Sequence, residues 1–496
     1  MLSISPIKQS ASDASKYYTS EEKNYYLSEK GIGNSSSWTG KLAEHYGIAG
    51  KEVDQKTLMK VLSGIAPDDS QQVTTGNREG HHRTGWDFTL SAPKSASIMA
   101  LVYGDKRFID AHDKAVELTV LEIEKNTAQV RISTEEGQVF QNTGKMCVAK
   151  VRHCTSREDD PQVHTHLLVP NMSLDDEGKL RAMASTMIQK NGVINGMAER
   201  VYHDQIYYGA HYHSAYAELL QKEGIEVESV GNCQFELKGF DKELKEGFSK
   251  RRTMITEAAK ELGISSYAGM DAVTLASRKN KNVKSMDELS SKWKEEAKSF
   301  SPDFNGELKQ TEQKESSISE SATTALRQAM AHMGTVQASF RFEKLMETAL
   351  ADFGMGKGVN VPNLKVALEK MIKDGEAVPL QNGQIASVSA LGVEKKLVES
   401  VSRKAKYMSV NVNQEALEKL NLTTSNKDVI KDTIESGKQT NVINIKGDRI
   451  PLIESLVVAA EGSGKQVEMI APNRSYLKDL TGLKRCETGK GEAEVE

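Results

Sequence analysis

Three histidines carry the densest chemistry in this sequence. His164 and His166 are separated by one residue, so on a β-strand both imidazoles point to the same face. His153 closes the preceding apolar run, and the polar stretch 156–161 reads as a turn that folds the two runs into an antiparallel hairpin. That hairpin brings His153 beside the other two. Three neutral imidazole nitrogens leave positions open on one divalent ion, the arrangement of a catalytic rather than a structural site, and an open position suits a phosphate oxygen. The plainer reading is a polar strand face with unrelated histidines, and the third histidine at hairpin distance weighs against it. His81, His82 and the other histidines have no such spacing and read as surface residues.

A metal that polarises a phosphate needs a nucleophile. The N-terminal region offers Tyr17-Tyr18 and Tyr25-Tyr26, two adjacent pairs. A phenol oxygen near a metal and a base can attack phosphorus in line and form a phosphotyrosine. Two pairs would permit two successive transfers, one to open a strand and one to rejoin it. Paired aromatics alone are more often packing, so the histidines carry this reading. Asp87 lies at the start of an alternating strand, where a carboxylate can fix an imidazole tautomer or take a tyrosine proton; its plain alternative is a turn carboxylate at a strand end. The small polar residues of 91–97 would put backbone N–H and hydroxyl donors at a helix start, suited to phosphates, or would form an ordinary N-cap. Lys94 within that stretch is a candidate DNA contact.

The elements that must position these groups can be read coarsely. Strands are predicted over 86–90, 145–153 and 163–169, and helices around 107–125 and 200–223. At 496 residues the chain is long for one core, and 38% hydrophobic with 27% charged residues describes an ordinary soluble protein. The organisation expected is a catalytic α+β domain over 1–300, a polar linker over 301–320, a small helical or winged-helix-like module over 321–410, and a strand-helix-strand segment over 411–496. The formal net charge of -4 neither favours nor excludes a nucleic-acid partner, because phosphate binding depends on local clusters. Basic clusters occur at Lys250, Arg251 and Arg252, and at Arg278, Lys279 and Lys281, the alternative being a solvated helix face. The four cysteines lack C-x-x-C spacing, no apolar run approaches the roughly 20 residues of a membrane span, and no signal peptide is evident. A cytoplasmic location is the resulting expectation, unless something else exports the chain.

With the two tyrosine pairs, the Gly85-Trp-Asp-Phe-Thr-Leu-Ser-Ala-Pro-Lys-Ser stretch and the His153-x10-His164-Thr-His166 spacing assembled, residues 1–300 resemble the F-type TraI/TrwC-like (MobF-type) conjugative relaxases of the HUH endonuclease superfamily. The resemblance implies a five-stranded antiparallel sheet flanked by helices, with the three histidines on two central strands. It implies one divalent ion, Mg²⁺, Mn²⁺ or similar, with Zn²⁺ as an alternative. It implies nicking and religation of single-stranded DNA at a plasmid transfer origin beside a hairpin, with Tyr17 initiating and Tyr25 as second transferase. Asp87 matches the carboxylate beside the metal histidines, and the basic clusters fall in a helical flap that holds DNA. Relaxosome accessory proteins and a type IV secretion coupling protein are the implied protein partners.

Such chains continue into helicase domains, and the order strand, helix, strand over 441–470 resembles the opening of a RecA-like fold. It departs where it matters: no G-x-x-x-x-G-K-[ST] comes after the first strand. Gly462-Ser-Gly-Lys465 falls after the helix, where it reads as a terminating turn and not a phosphate loop. The segment is therefore either a vestigial helicase fold that binds single-stranded DNA or a truncated remnant, and ATP hydrolysis is not expected of it. Competing readings are a rolling-circle replication initiator of the same superfamily, a non-catalytic metal-stabilised protein that binds single-stranded DNA, and a His-x-His metallohydrolase. Tyrosines that precede the histidines argue against the first. The apolar Leu167-Leu168-Val169, with no nearby Asp for a two-metal site, argues against the last.

Overall fold

The computed structural model describes residues 2–23, 35–73, 83–135, 137–184, 196–264, 286–308, 318–381, 383–402, 412–419, 422–435 and 450–464, with short stretches at 266, 269, 272–274, 467, 469–471 and 486–488. Two compact units divide the chain, Met1–Ala390 and Leu391–Glu496.

The first unit is built on a five-stranded sheet in the order Leu2–Pro6, Gly85–Ser91, Pro161–Pro170, Val148–Thr155, Ser35–Thr39, with every neighbouring pair antiparallel. The expected α+β class and five-stranded antiparallel sheet are what the chain adopts, and the two histidine strands lie side by side inside it. Both faces are covered, which is why the inner strands read as apolar runs as much as alternations. One face packs Phe88, Leu90, Leu167 and Val169 against the helices Lys106–Thr127 and Gln205–Lys222. The other packs Ala149, Val151 and Leu168 with Trp38, Leu58 and Val61, and with Ala14 and Tyr18 of the helix Ala11–Lys23.

The N-terminal helix starts for a local reason. Ser10 Oγ accepts from the Asp13 backbone N–H at 3.1 Å and donates to the Asp13 carboxylate at 2.7 Å, a reciprocal cap that satisfies a first-turn donor. Gly85 opens its strand at φ +151°, and a Cβ there would sit 2.3 Å from the Val169 carbonyl oxygen. Only glycine permits that approach, so Gly85 fixes where the Asp87 strand meets the His166 strand.

Two strands of the sheet, Leu2–Pro6 and Ser35–Thr39, were not among those predicted. Both are short edges, and the second is mostly serine, so neither carries a strong apolar period. The helix expected over 200–223 is two helices, Met197–His203 and Gln205–Lys222, which break at Asp204.

The expected boundary at 301–320 does not separate an independent module. The helix Ile318–Gly334, the helix Phe342–Thr348 with its π-helical continuation Ala349–Gly354, the helix Val361–Lys373 and the three-stranded sheet of Ser339–Arg341, Gln384–Ser387 and Ala377–Pro379 belong to the first unit. A shared apolar core explains the union, with Leu326, Leu345, Leu350 and Leu364 in one buried cluster with Tyr207 and Phe235. Polar ties add to it: Lys365 donates to both Glu122 oxygens at 2.8 Å, Arg341 pairs with Asp204, and Gln221 Nε2 donates to the Gly356 carbonyl. In the second unit, the helices Gln414–Glu418, Thr424–Glu435 and Ile450–Gly462 gather Leu417, Ile430, Ile434, Leu452 and Ala459 in a small core. The strand Met469–Ala471 pairs in parallel with Cys486–Thr488. The strand expected near 442–446 lies outside the described residues. Among the described residues no helix is long and apolar enough to cross a membrane.

Candidate active site

The register of the central strands sets the site. His153 stands directly opposite His164, while His166 stands opposite Val151 on one side and Thr89 on the other. Alternation then puts His153, His164, His166, Thr89 and Asp87 on one face. The ring centroids of the three histidines are 4.9 to 5.4 Å apart, and one nitrogen from each falls within 4.8 Å of the others.

Hydrogen bonds set which nitrogen of each ring can face a cation. His166 Nδ1 donates to Asp87, 2.8 and 3.0 Å from its two oxygens, and lies 3.1 Å from Thr89 Oγ1. His164 Nδ1 donates to the Gln162 carbonyl at 3.0 Å. Both rings therefore carry their proton on Nδ1 and their lone pair on Nε2, turned to the common centre. His153, 2% exposed, supplies the third ring from the neighbouring strand. Three neutral nitrogens so disposed fit one divalent ion with open positions.

Asp87 links this cluster to the tyrosine helix. The Tyr18 hydroxyl donates to Asp87 Oδ2 at 2.9 Å, and its ring centroid is 5.8 Å from that of His166. Adjacent residues on a helix project about 100° apart, so only one of the pair is buried: Tyr18 is 6% exposed and Tyr17, edge-on to it at 5.0 Å, is 40% exposed. Tyr25, Tyr26, Arg278, Lys279 and Lys281, all expected site residues, lie outside the described residues.

The remaining expected DNA contacts are placed unevenly. Lys94 is turned inward: its ammonium donates to the Pro161 carbonyl at 3.0 Å, and burial pushes its pKa down to about 8. Lys250 is half-buried and pairs with Glu296 at 2.9 Å and Asp160 at 3.5 Å. Arg251 donates to the Thr274 carbonyl, and Arg252 is exposed. The helix start near Ser95 does hold an anion, but an internal one: the Glu236 carboxylate accepts from the Ser95 backbone N–H at 3.0 Å and from its hydroxyl. The two Ser95 donors are thus taken by a side chain of the same chain.

Sequence reasoning missed Thr89, although its place two residues after Asp87 on an alternating strand was a usable signal. It also missed the opposite face of the sheet. There Thr165, between the two histidines of its strand, is 2.8 Å from His112 Nε2, and His112 Nδ1 is 2.6 Å from the Tyr212 hydroxyl. Arg152, paired in register with Thr165, is bonded to Asp113 of the same helix as His112. Burial, then the nearby Arg152 charge, hold the His112 imidazole well below its usual pKa, so it is neutral.

The profile of the TrwC relaxase family matches residues 11–300, a span that contains the tyrosine helix, Asp87 and all three histidines. The multifunctional conjugation protein TraI of Escherichia coli (strain K12) is 28% identical over 508 residues, covering 99% of this chain. The chain spans only 28% of the length of that curated relative. Among solved structures, the conjugative relaxase TrwC in a metal-bound complex with oriT DNA is 32% identical, with a TM-score of 0.53 over 60% of this chain and 98% of that one. TrwC complexed with a 27-mer DNA comprising the recognition hairpin and cleavage site matches at the same identity, with a TM-score of 0.52. With more than half of its length matched by the family profile, the chain belongs to the TrwC relaxase family.

Proposed function

We propose that this chain is a conjugative relaxase that nicks single-stranded DNA at a plasmid transfer origin and keeps the cut 5′ end attached to a tyrosine. The observation that carries the reading is the Tyr18–Asp87–His166 chain of hydrogen bonds, which ties the tyrosine helix to the histidine cluster. His153, His164 and His166 would hold one divalent ion, Mg²⁺ or Mn²⁺ in the first instance, and that ion, when bound, supplies charge to polarise the scissile phosphate.

Tyr17 is the nucleophile in this reading, because its ring is open to solvent whereas Tyr18 is buried and committed to Asp87. Its oxygen forms a bond to phosphorus as the P–O3′ bond breaks, and the tyrosine proton is balanced by protonation of the departing 3′ oxygen. Asp87 fixes the His166 tautomer, and Tyr18 seats the helix that carries Tyr17. Tyr25 and Tyr26 are proposed for the second transfer. Strand transfer exchanges one phosphodiester for another, so nick and religation need no nucleotide hydrolysis.

Lys94, Lys250, Arg251, Arg252, Arg278, Lys279 and Lys281 are proposed to neutralise backbone phosphates. Relaxosome proteins and a secretion coupling protein are the proposed partners. Residues 321–410 are proposed as a small helical or winged-helix-like module, supported by the helix-strand-helix-helix-strand-strand order up to Ser387. Residues 411–496 are proposed as a degenerate RecA-like segment without ATPase activity, supported by the helix Ile450–Gly462 leading to a strand in parallel pairing.

Incubation with Mn²⁺ and a 5′- or 3′-labelled single-stranded oligonucleotide spanning the cognate transfer origin tests the proposal. A protein–DNA adduct that survives denaturation and is lost in Tyr17→Phe is expected. Released fragments with no adduct would indicate hydrolysis, and binding without cleavage would indicate a non-catalytic DNA-binding protein.

A further inference from the structure

The tip of the histidine hairpin is closed locally through Ser156, whose N–H donates to the Asp160 carbonyl at 2.9 Å and whose Oγ accepts from the Asp160 N–H at 3.1 Å, but the ladder below it is interrupted. His153 pairs with His164 but Thr155 pairs with Pro161, so Gln162 and Val163 together oppose Cys154 in a bulge immediately beside two of the histidines. A bulge interrupts the ladder and lets the strand bend. The turn beyond it passes through Asp159 at φ +59°, a left-handed conformation that Asp adopts more readily than most non-glycine residues.

Further contacts to the turn come from elsewhere in the chain. Trp293, fully buried on the helix Met286–Phe300, donates its indole N–H to the Asp159 carbonyl at 2.6 Å. Next to it the Asp160 carboxylate, 1% exposed, has Lys250 at 3.5 Å, and Lys250 is itself tied to Glu296 of the Trp293 helix. Lys94 donates to the Pro161 carbonyl. The bulge is pinned from the helix Lys94–Leu101, where Ser97 Oγ accepts the Val163 N–H at 3.1 Å, and from the residues before that helix, where the Ala92 carbonyl accepts from Gln162 Nε2 at 2.8 Å.

We infer that Trp293 is a positioning residue for the metal centre: through the Asp159 carbonyl, with Lys250 on Asp160 beside it, it holds the hairpin tip that sets His153 against His164. The inference rests on the proposed metal role of the histidines and deepens it. It makes ion affinity depend on a helix that contributes no ligand, and couples the Lys250–Met286 region to the centre mechanically. Residues that orient ligands commonly control affinity by about 10–100-fold.

The test is Mn²⁺ affinity of the full chain without DNA, measured by calorimetry well below the unfolding temperature. Trp293→Phe keeps an aromatic ring in the core and removes the donor; Lys250→Gln removes the charge from a half-exposed position and tolerates substitution better. The inference predicts that Trp293→Phe binds Mn²⁺ at least about tenfold more weakly with an unchanged circular dichroism spectrum, and that Lys250→Gln shifts in the same direction. A purely structural role would lower the unfolding temperature and leave the affinity alone. Affinities within about twofold of the unmutated chain in both variants would overturn the inference and leave the proposed function standing. Should Trp293→Phe fail to fold, Lys250→Gln decides by itself. No Mn²⁺ uptake by the unmutated chain would sink the metal reading and this inference with it.

Discussion

Tyr18 and Asp87 are 69 residues apart in sequence and joined by a 2.9 Å hydrogen bond. The same carboxylate accepts from His166 Nδ1 at 2.8 Å, so one side chain orients a candidate ligand and anchors the helix that bears the candidate nucleophile. Neither task requires Asp87 to change its charge. A carboxylate that points a histidine at a cation raises the basicity of that ligand as well as fixing its tautomer.

Replacing Asp87 by Asn keeps the size of the side chain and removes the negative charge. Metal affinity is expected to fall about 10–100-fold, and single-turnover cleavage to slow with it. Calorimetry with Mn²⁺ and a quenched cleavage assay check the two effects separately; unchanged affinity would place Asp87 outside the metal's support.

The two adjacent tyrosines are expected to behave differently. Tyr17→Phe removes the attacking oxygen and should abolish the first covalent adduct, apart from any attack by Tyr25 or Tyr26. Tyr18→Phe removes one hydrogen bond, worth on the order of 1 kcal/mol, and should slow cleavage while still allowing an adduct. Denaturing gels of both variants under saturating Mn²⁺ distinguish them, and the opposite ranking would transfer the nucleophile's role to Tyr18.

Behind the sheet, His112 is neutral in the folded chain, with its pKa held below the usual value by burial first and Arg152 second. Its folded value lies below its unfolded one, so its contribution is complete above about pH 6.5 and is lost as pH falls toward the folded value. Stability to urea should therefore decline on acidification from neutral pH. In His112→Gln that decline should be shallower, from a lower starting stability, because the imidazole no longer titrates. Equal slopes in the two proteins would show that His112 does not drive the effect.

Glu122 tests the attachment of the 318–390 elements. Burial pushes its pKa up, but hydrogen bonds from Lys365 and Tyr207 and the Lys365 charge outweigh it and bring the value down to about 2. A depressed carboxylate pKa gives stability that is present above the unfolded value of about 4.3 and is lost as pH falls through the folded one. Lys365→Met should destabilise the first unit by roughly 1–3 kcal/mol at neutral pH, leaving Glu122 poorly compensated. The gap from the unmutated chain should narrow between about pH 5 and pH 2. Thermal melts at neutral and acid pH measure it, and a constant gap would contradict the assignment.

The gathering of the three histidines with Asp87 was legible because its signals are local. The His-x-His spacing, the turn before it and the alternating strand at Asp87 each reflect the two-residue period of a strand, and the register puts those side chains on one face. What could not be read depends on long-range contacts. Glu236 fills the helix start at Ser95 from 141 residues away, and no local pattern announces it. Lys94 and Lys250 look like phosphate ligands in sequence, yet Pro161 and Asp160 draw them inward. Trp293 reads as an ordinary core aromatic until its indole N–H is seen on the Asp159 carbonyl. The polar stretch 301–320 resembled a domain linker, but the apolar residues of 318–390, Leu326, Leu345 and Leu364 among them, share one buried core with Tyr207 and Phe235, and ion pairs such as Lys365–Glu122 add to it.

Peptide mapping of the covalent product by mass spectrometry tests the central claim most directly. After reaction of the unmutated chain with origin oligonucleotide and Mn²⁺, nuclease and protease digestion should leave a nucleotide phosphate on Tyr17. A modification on a residue remote from the histidine cluster, or cleaved DNA with no modified peptide, would contradict the account.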